Sequence, residues 1–567
     1  MLRRIFSYMK QYKKYAYLAL ICIAVEAMLE LMVPMIMADL IDNGVANGDT
    51  HYIYVKGLQM ALCALIALVL GIGSARFQSL AGQGLGANIR KAEYEKLQSY
   101  SLSNIDHFRV SSLVTRLTSD VTNIQNSVST GMRPFGRSPV MLIFASSIAF
   151  TINRTLALVF FVALPILATL LIIIIMKVRP LYGKMQNAID LVNRSIQENL
   201  TAIRVVKSYV RGDYEVDKFE QVNANLKKES ETAFGIAVLN MPAMQFVMYG
   251  TIIAILFVGG HLINAGQLKI GELTSFLSYV LLILNSLMMT RSLASASRIV
   301  EVLDEKIDII DEKSQDISVK NGDIEFDHVW FKYKNEAKEY VLSDVSFHIK
   351  PGQTVGIIGQ TGSAKTTLVQ LIPRLYDTTK GTVRIDGIDV KNYPVRHLRD
   401  AIAVVLQKNT LFSGSLISNL RWGNENAAKE EIDEACHIAC VDEFLDRLPN
   451  GYESEMGQGG VNVSGGQKQR ICIARAILKK PKVLILDDST SAVDTATEGR
   501  IREELAKKLP DMTKIVIAQR ISSVKHADQI IILDRGCVNA IGTHDELLKN
   551  NKIYQEIYES QKEGADL

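Results

Sequence analysis

The chain has 567 residues, of which 48% are hydrophobic, and its formal net charge is +3. The mean hydropathy is positive, which is high for a purely soluble protein and fits a membrane domain joined to a soluble one. The nearly balanced charge gives no indication of nucleic acid or another polyanion as a partner.

Long apolar runs dominate the sequence from residue 16 to about 290. Most have the length that an α-helix needs to cross about 30 Å of hydrocarbon, although the third is short and is expected to begin earlier, near Pro134. The runs predict six membrane spans, at about 16–38, 53–75, 138–152, 156–176, 238–263 and 273–290.

Basic residues predict the orientation of these spans. Segments 1–14, 76–137 and 177–232 contain 5, 8 and 10 Lys and Arg residues, whereas the alternate connections contain only three. By the positive-inside rule, both termini and the two long connections lie in the cytosol. These connections are polar but helix-prone, so they are expected to extend the membrane helices well into the cytoplasm.

Two carboxylates, Glu26 and Glu30, lie inside the first predicted span. Their spacing places them on one helix face. Charges at membrane depth are costly and usually face a water-filled cavity, so they are candidate ligands for a cationic substrate. The alternatives are contact with another polar helix or a position near the outer interface.

Near residue 321 the sequence changes to short β-type runs such as IEFDHVWFKY, YVLSDVSFHI and TVGIIG, separated by turns. We therefore place a transmembrane domain with cytoplasmic helix extensions at 1–310, a linker at 311–320 and a soluble domain at 321–567.

The segment GQTGSAKTTL, at 359–368, follows the strand-like run TVGIIG and precedes an apolar helix pattern. In this context it is a phosphate loop, in which Lys365 reaches phosphate oxygens and the Thr366 hydroxyl ligates magnesium. Downstream, the apolar run VLILD ends at Asp487 and predicts a buried strand that brings a second magnesium ligand. The residues assigned to nucleotide binding here are Gly359, Gln360, Thr361, Gly362, Ser363, Ala364, Lys365, Thr366 and Thr367.

With VSGGQKQR at 463–470, these motifs resemble those of an ATP-binding cassette (ABC) exporter half-transporter. The resemblance covers essentially the whole chain. It implies an α-helical six-span transmembrane domain of the type IV kind fused to an α/β P-loop nucleotide-binding domain. It also implies ATP and Mg²⁺ as cofactors, a place in the lipid bilayer of a bacterial cell membrane, and ATP-driven export.

The resemblance also assigns individual residues. Tyr333 matches the aromatic that stacks on adenine, Gln407 the glutamine that touches magnesium, and Asp494 the residue closing the loop that crosses to a partner. The turns at 106–110 and 212–217 resemble coupling helices that dock on nucleotide domains. The signature residues are Ser464, Gly465, Gly466 and Gln467.

The sequence departs from the family pattern at one nucleotide site. Asp488 replaces the catalytic glutamate, Gln519 replaces the switch histidine, and Ala364 replaces the glycine before the lysine. His526 follows too late to substitute for the switch residue. In addition, MGQGG at 456–460 replaces the usual glutamate–arginine pair before the signature.

An intact signature beside a weakened phosphate-loop side favours a heterodimer with a second half-transporter. This chain would then complete the partner's site while its own site holds ATP with little or no hydrolysis. A slow homodimer and a purely regulatory ATP-binding subunit remain alternatives. The six spans exclude a soluble cassette ATPase, and no filter-like motif suggests a channel. A small amphiphilic compound, a lipid or a peptide could be the substrate.

Overall fold

The computed structural model describes residues 2–108, 110–285, 293–311, 317–334, 336–488 and 492–563. They form two compact units. The first comprises Met1–Leu97 and Ser111–Asp304, and the second comprises Gln98–Val110 and Glu305–Leu567.

The first unit is helical. Three short π-type segments, Leu40–Val45, Arg116–Asp120 and Met141–Ala145, continue its helices without a break. In chain order the α-helices up to residue 304 are α1 (Leu2–Ser7), α2 (Lys13–Asp39), α3 (Thr50–Gln98), α4 (Leu102–His107), α5 (Val110–Thr115), α6 (Val121–Val140), α7 (Ser146–Ile152), α8 (Arg154–Thr201), α9 (Ile203–Ser208), α10 (Gly212–Ala237), α11 (Asn240–Asn264), α12 (Ile270–Asn285) and α13 (Leu293–Asp304). Of these, α4 and the start of α5 belong to the second unit.

Among the described residues, five helices are long and apolar enough to cross a membrane, and the shorter apolar helix Ile270–Leu282 coincides with the sixth predicted span. Residues 286–290 of that span lie outside the described residues. Helix α3 has 49 residues, and at 1.5 Å per residue it is about 70 Å long, more than twice the hydrocarbon thickness. The long connections therefore do extend the membrane helices.

The third span differs from its prediction at the N-terminal end. The helix does not begin near Pro134 but runs from Val110 to Ile152, with Pro134 and Pro139 inside it. A proline lacks the N–H of the helical ladder, and the π-type segment at Met141–Ala145 follows these two prolines directly.

The described residues of the second unit form a four-stranded sheet, a six-stranded sheet and a two-stranded ribbon. The predicted β-type runs form the first three strands. The strands are β1 (Ile324–Phe331), β2 (Leu342–Ile349), β3 (Thr354–Ile358), β4 (Lys380–Ile385), β5 (Ile388–Asp389), β6 (Ile402–Val405), β7 (Gly414–Ser415), β8 (Glu455–Met456), β9 (Val483–Asp487), β10 (Thr513–Ile517), β11 (Gln529–Asp534) and β12 (Cys537–Gly542).

The six-stranded sheet has the order β12-β11-β3-β10-β9-β6 and is parallel except for β12. Its central strands are buried apolar runs, as expected for a parallel sheet covered on both faces. The accompanying helices are α14 (Lys365–Gln370), α15 (Val395–Asp400), α16 (Leu416–Leu420), α17 (Lys429–Ile438), α18 (Asp442–Leu445), α19 (Gly465–Leu478), α20 (Thr495–Lys508), α21 (His544–Asn550) and α22 (Lys552–Glu563).

Candidate nucleotide-binding site

Four neighbouring parallel strands end at the same edge of the six-stranded sheet. Strand β3 leads into the loop at 359–364. Asp487 is the last residue of β9, Gln519 follows β10, and Gln407 follows β6. Ligands of open α/β sheets bind outside the carboxyl ends of such strands. The topology thus brings together four segments that are up to 160 residues apart in the sequence.

The phosphate loop connects β3 to α14 as predicted. Gly362 has φ +87° and Ala364 has φ 73° and ψ 24°, so both take left-handed conformations. An alanine in this conformation carries steric strain of about 1–2 kcal/mol, but it keeps its N–H. Lys365 Nζ donates to the carbonyl oxygens of Gly359 at 2.7 Å and Gln360 at 2.9 Å. Burial lowers the pKa of Lys365, and the carboxylates of Asp488 and Asp487 oppose that shift.

Thr366 and Asp487, two of the three proposed magnesium ligands, are in direct contact. Thr366 Oγ1 donates to Asp487 Oδ1 at 3.1 Å. Asp487 ends β9 and is only 2% exposed, and this burial raises its pKa although the Thr366 hydrogen bond acts in the opposite direction. Bringing a cation to this carboxylate would offset the cost of its burial.

Asp488, at the position of the family's catalytic glutamate, is held by two amide groups. Its Oδ2 accepts hydrogen bonds from Gln519 Nε2 at 2.9 Å and from Gln407 Nε2 at 3.2 Å. Its backbone has φ 46°, and its N–H donates to Ile517 O at 3.0 Å. The three side chains that the sequence singled out as base, switch and magnesium-contacting residues therefore form one hydrogen-bonded cluster.

Gln561, on α22, forms hydrogen bonds that support Gln519, the residue at the switch position. The sequence did not predict this contact. Its Nε2 donates to the backbone oxygen of Gln519 at 2.7 Å, and its Oε1 accepts from Ile521 N at 2.9 Å. It lies 42 residues after Gln519 and belongs to no motif, so no sequence signal marks it. His526 lines a cavity between α20 and the sheet, together with Glu498 and Arg502.

Tyr333 follows β1, and its side chain lies beside the first turn of α14. Its hydroxyl is 2.8 Å from Thr367 Oγ1, and its ring makes an edge contact with the ring of Tyr376. Tyr333 is 45% exposed, so its ring is accessible to a base. The Tyr376 hydroxyl donates to Asp106 Oδ2 at 2.6 Å. Burial and, to a smaller extent, that hydrogen bond raise the pKa of Tyr376.

The first segment predicted as a coupling turn, 106–110, overlaps the end of α4, Leu102–His107. Ser101 and Asn104 form a capping box that starts this helix. Asn104 Nδ2 also donates to Lys306 O at 2.7 Å. The second predicted turn, at 212–217, forms the first residues of α10.

The signature residues start α19. Ser464 Oγ accepts from Gln467 N at 3.3 Å, and Gln467 Oε1 accepts from Ser464 N at 2.9 Å, which is a capping box. The N-terminus of this 14-residue helix is a favourable place for an anion. Asp494 caps α20 through a 3.0 Å hydrogen bond from Thr497 N, and this bond lowers the pKa of Asp494.

Glu26 and Glu30 line a separate cavity in the helical unit. Glu26 Oε1 accepts from Arg133 Nη2 at 2.5 Å, and Glu30 pairs with Arg137. The carboxylates contact another helix, which was one of the alternatives, and they also face a cavity, as the ligand hypothesis expected. Two arginines four residues apart in α6 match the spacing of the two glutamates, and this matching could have predicted the pairing.

Comparison with known proteins places this geometry in a family. Residues 17–287 match the family "ABC transporter transmembrane region", and residues 342–491 match the family "ABC transporter". The "Uncharacterized ABC transporter ATP-binding protein YfiB" of Bacillus subtilis is 37% identical over the full length of both chains. The chain therefore belongs to the ABC exporter family. This exporter is an ABC-type ATPase of the membrane, and the resemblance noted from its motifs is confirmed.

Further relatives of this ABC exporter carry more specific names. The "Putative multidrug export ATP-binding/permease protein YgaD" of Bacillus subtilis is 31% identical, and the "ATP-dependent lipid A-core flippase" of Desulfotalea psychrophila is 30% identical, each aligning over 99% of both chains. A bacterial Atm1-family ABC exporter solved with ATP bound has a TM-score of 0.81 at 22% identity, covering 97% of this chain and 99% of its own. This likeness confirms the predicted fold class.

Proposed function

We propose that this chain is one half of a heterodimeric exporter of an amphiphilic substrate, a drug, a lipid or a peptide. Its own site would hold ATP and hydrolyse it slowly, while its signature would complete the partner's hydrolytic site. Both termini would lie in the cytosol, as the distribution of basic residues favours. Relatives named for multidrug export and for a lipid A-core flippase support an amphiphilic substrate.

The hydrogen-bond cluster around Asp488 carries this proposal. A general base must lie within hydrogen-bond reach of the water that it activates, whereas Asp488 Oδ2 is held by hydrogen bonds from Gln519 and Gln407. Aspartate also withdraws the carboxylate by one methylene, about 1.5 Å, and a misplacement of about 1 Å can cost roughly a hundredfold in rate. A glutamine amide cannot carry the charge of an imidazolium.

The residues around Asp487 fit a magnesium ion. The Thr366 hydroxyl, the Asp487 carboxylate and the Gln407 amide oxygen are all hard oxygen donors, the kind that Mg²⁺ prefers. When bound, the ion would neutralise charge on the β- and γ-phosphates. Lys365, now bonded to loop carbonyls, would turn to the phosphates, and Tyr333 would offer its ring to the adenine. These roles are compatible with ATP binding in a slow site.

Co-purification tests the heterodimer directly. A tag on this chain, expressed in its native cells and purified in a neutral detergent, is expected to retain a second ABC half-transporter in equal amount, as measured by intact mass and subunit stoichiometry. The partner is expected to carry glutamate and histidine at the positions of Asp488 and Gln519. A complex containing only copies of this chain would instead indicate the slow homodimer.

Replacing Tyr376 by phenylalanine is expected to weaken the link between α4 and the nucleotide site. The change removes the hydroxyl that donates to Asp106 but keeps the ring against Tyr333. A hydrogen bond to a charged group contributes about 1.5–3 kcal/mol, and exposure of the pair reduces that figure. We expect ATP affinity to stay close to the parent value while transport per ATP hydrolysed falls, measured in proteoliposomes.

A matched variant, Tyr452→Phe, serves as the control for Tyr376→Phe. Tyr452 also donates to an aspartate, Asp433, at 2.7 Å, but it packs against the hydrophobic cluster that contains residues of α17 and α19. The Tyr452→Phe variant should have a lower free energy of unfolding, but the amount of substrate transported per ATP hydrolysed should not change. An equal loss of coupling in both variants would contradict the role of Tyr376.

A further inference from the structure

We propose that the cavity between α2, α3, α6 and α12 binds a zwitterionic head group, one that carries both an ammonium and an acidic phosphate, on an apolar chain. This inference rests on the proposed export of an amphiphile and narrows its substrate class. It also changes the sequence-based expectation of a cationic ligand for Glu26 and Glu30.

Two Glu–Arg pairs lie side by side on one wall of this cavity. Glu26 pairs with Arg133, and one helical turn further along each helix Glu30 pairs with Arg137. Residues four apart on a helix have Cβ atoms about 5–6 Å from each other. The wall therefore presents two positive and two negative groups within a few ångströms, and its net charge is zero.

The charge balance selects the ligand. A lone cation would give this neutral wall an uncompensated positive charge, and a lone anion would give it an uncompensated negative charge. An unpaired charge in an apolar setting is strongly unfavourable. A zwitterion can offer its ammonium to Glu30 or Glu26 and its phosphate to the matching arginine, so that every charge keeps a partner. The cavity wall therefore disfavours singly charged ligands in addition to attracting a zwitterion.

The groups differ in how accessible they are. The side chain of Glu26 is only 7% exposed, whereas that of Arg133 is 44% exposed. The arginine is thus the member of this pair that a ligand can reach first. A guanidinium has five N–H donors in a planar fork that suits phosphate, and the bond to Glu26 involves Nη2 alone. A phosphate can therefore be bound at Arg133 while the ion pair is kept.

The size and lining of the cavity suit the rest of an amphiphile. Its volume is about 880 Å³, within the range of sites that hold drug-sized ligands. Apart from the charged groups, the wall is largely aliphatic, with Leu29, Val33, Leu68 and Ile72 among its residues. These side chains can contact a hydrocarbon chain while the two ion pairs contact the head group.

Head-group selectivity at constant chain length tests the proposal. The full-length protein, without nucleotide and in maltoside micelles, is titrated with radiolabelled dodecylphosphocholine, dodecyltrimethylammonium or dodecyl phosphate, and equilibrium binding is measured. We expect the zwitterion to bind at least about tenfold more tightly than either singly charged probe. Equal affinity for all three, or a preference for the cation, would overturn the proposal.

Paired substitutions separate binding from folding. Glu26→Gln with Arg133→Gln removes one ion pair without leaving an unpaired charge, and we expect most of the preference for the zwitterion to be lost. Glu26→Arg with Arg133→Glu restores a neutral pair and should recover it. The control is Asp39→Asn with Lys56→Gln, which removes a 2.6 Å ion pair between α2 and α3, two of the helices around the cavity, and should leave selectivity unchanged.

The outcomes are distinguishable from a failure of the proposed function, because binding is measured without ATP or a partner chain. If both double variants of Glu26 and Arg133 fold but bind all probes like the parent, the ion pairs are structural only and the inference is wrong. If the parent protein prefers the zwitterion but also hydrolyses ATP at the full rate without a partner chain, the heterodimer proposal is wrong and the inference about the cavity stands.

Discussion

Replacing Asp488 by glutamate together with Gln519 by histidine is expected to raise the ATPase rate of the purified chain by about a hundredfold or more. The longer side chain returns the carboxylate to the distance from which a glutamate would orient water, and a placement error of about 1 Å costs a factor of this size. The imidazole replaces an amide that donates to Asp488 Oδ2 at 2.9 Å and supplies a group that can carry charge near the γ-phosphate.

The two substitutions are expected to be strongly non-additive. Asp488 and Gln519 are hydrogen-bonded to each other, and residues that act as a unit lose most of their effect when either one is removed. Each single variant should therefore gain far less than the double variant. Phosphate release at saturating Mg-ATP measures the effect, with ATP binding measured separately to show that affinity is similar in all four proteins.

Two controls assign the gained activity to this site. Adding Asp487→Asn or Thr366→Ala to the double variant should abolish the gain, since these residues are the proposed magnesium ligands in mutual contact. A wild-type chain that already hydrolyses ATP as fast as the double variant would show that Asp488 is a competent base, and the slow-site proposal would then be wrong.

The parts predicted best from the sequence are those whose signal is local. The run TVGIIG, the phosphate loop and α14 are contiguous, and so is VLILD, which forms strand β9 from Val483 to Asp487. The positions of membrane helices follow from apolar length, which is also a local property. In each case one short segment contains the information that fixes its structure.

The contacts that could not be predicted join distant segments. Gln561 supports Gln519 from the C-terminal helix. Tyr376 contacts Tyr333 and also Asp106, which lies 270 residues earlier in the sequence. No periodicity or motif records such pairings, since they depend on which strands become neighbours in the sheet. The sequence did not predict where α4 begins, because the capping box of Ser101 and Asn104 is a weak signal in a polar segment.

Replacing Gly465 by aspartate is expected to lower the ATPase rate of the co-purified complex by about a hundredfold, the size of effect seen when one anion-stabilising group is removed from an active site. Gly465 is the first residue of α19, where the helix N-terminus can face a γ-phosphate bound by the partner. A carboxylate at this point would repel the phosphate and compete for the same N–H groups.

Gly465 is a better choice than its neighbour, because the fold has space for a side chain there. A Cβ at Gly465 would lie 3.4 Å from the Cβ of Ala492, which is ordinary contact, whereas a Cβ at Gly466 would lie 2.8 Å from the Ala492 carbonyl oxygen. Gly465→Asp should therefore change charge without displacing α19. Gly465→Ala, with the same Cβ and no charge, is the matched control and should retain most of the activity.

Two variants of the same complex test whether its two ATP sites differ in their rate of hydrolysis. If this chain's signature completes the partner's hydrolytic site, Gly465→Asp should stop most of the hydrolysis, and Asp488→Asn, at this chain's own site, should reduce it far less. Equal losses from the two variants would mean that both sites turn over ATP, as in a symmetric exporter. A large loss from Asp488→Asn alone would place the main hydrolytic site on this chain, since Gly465 would then serve the minor one.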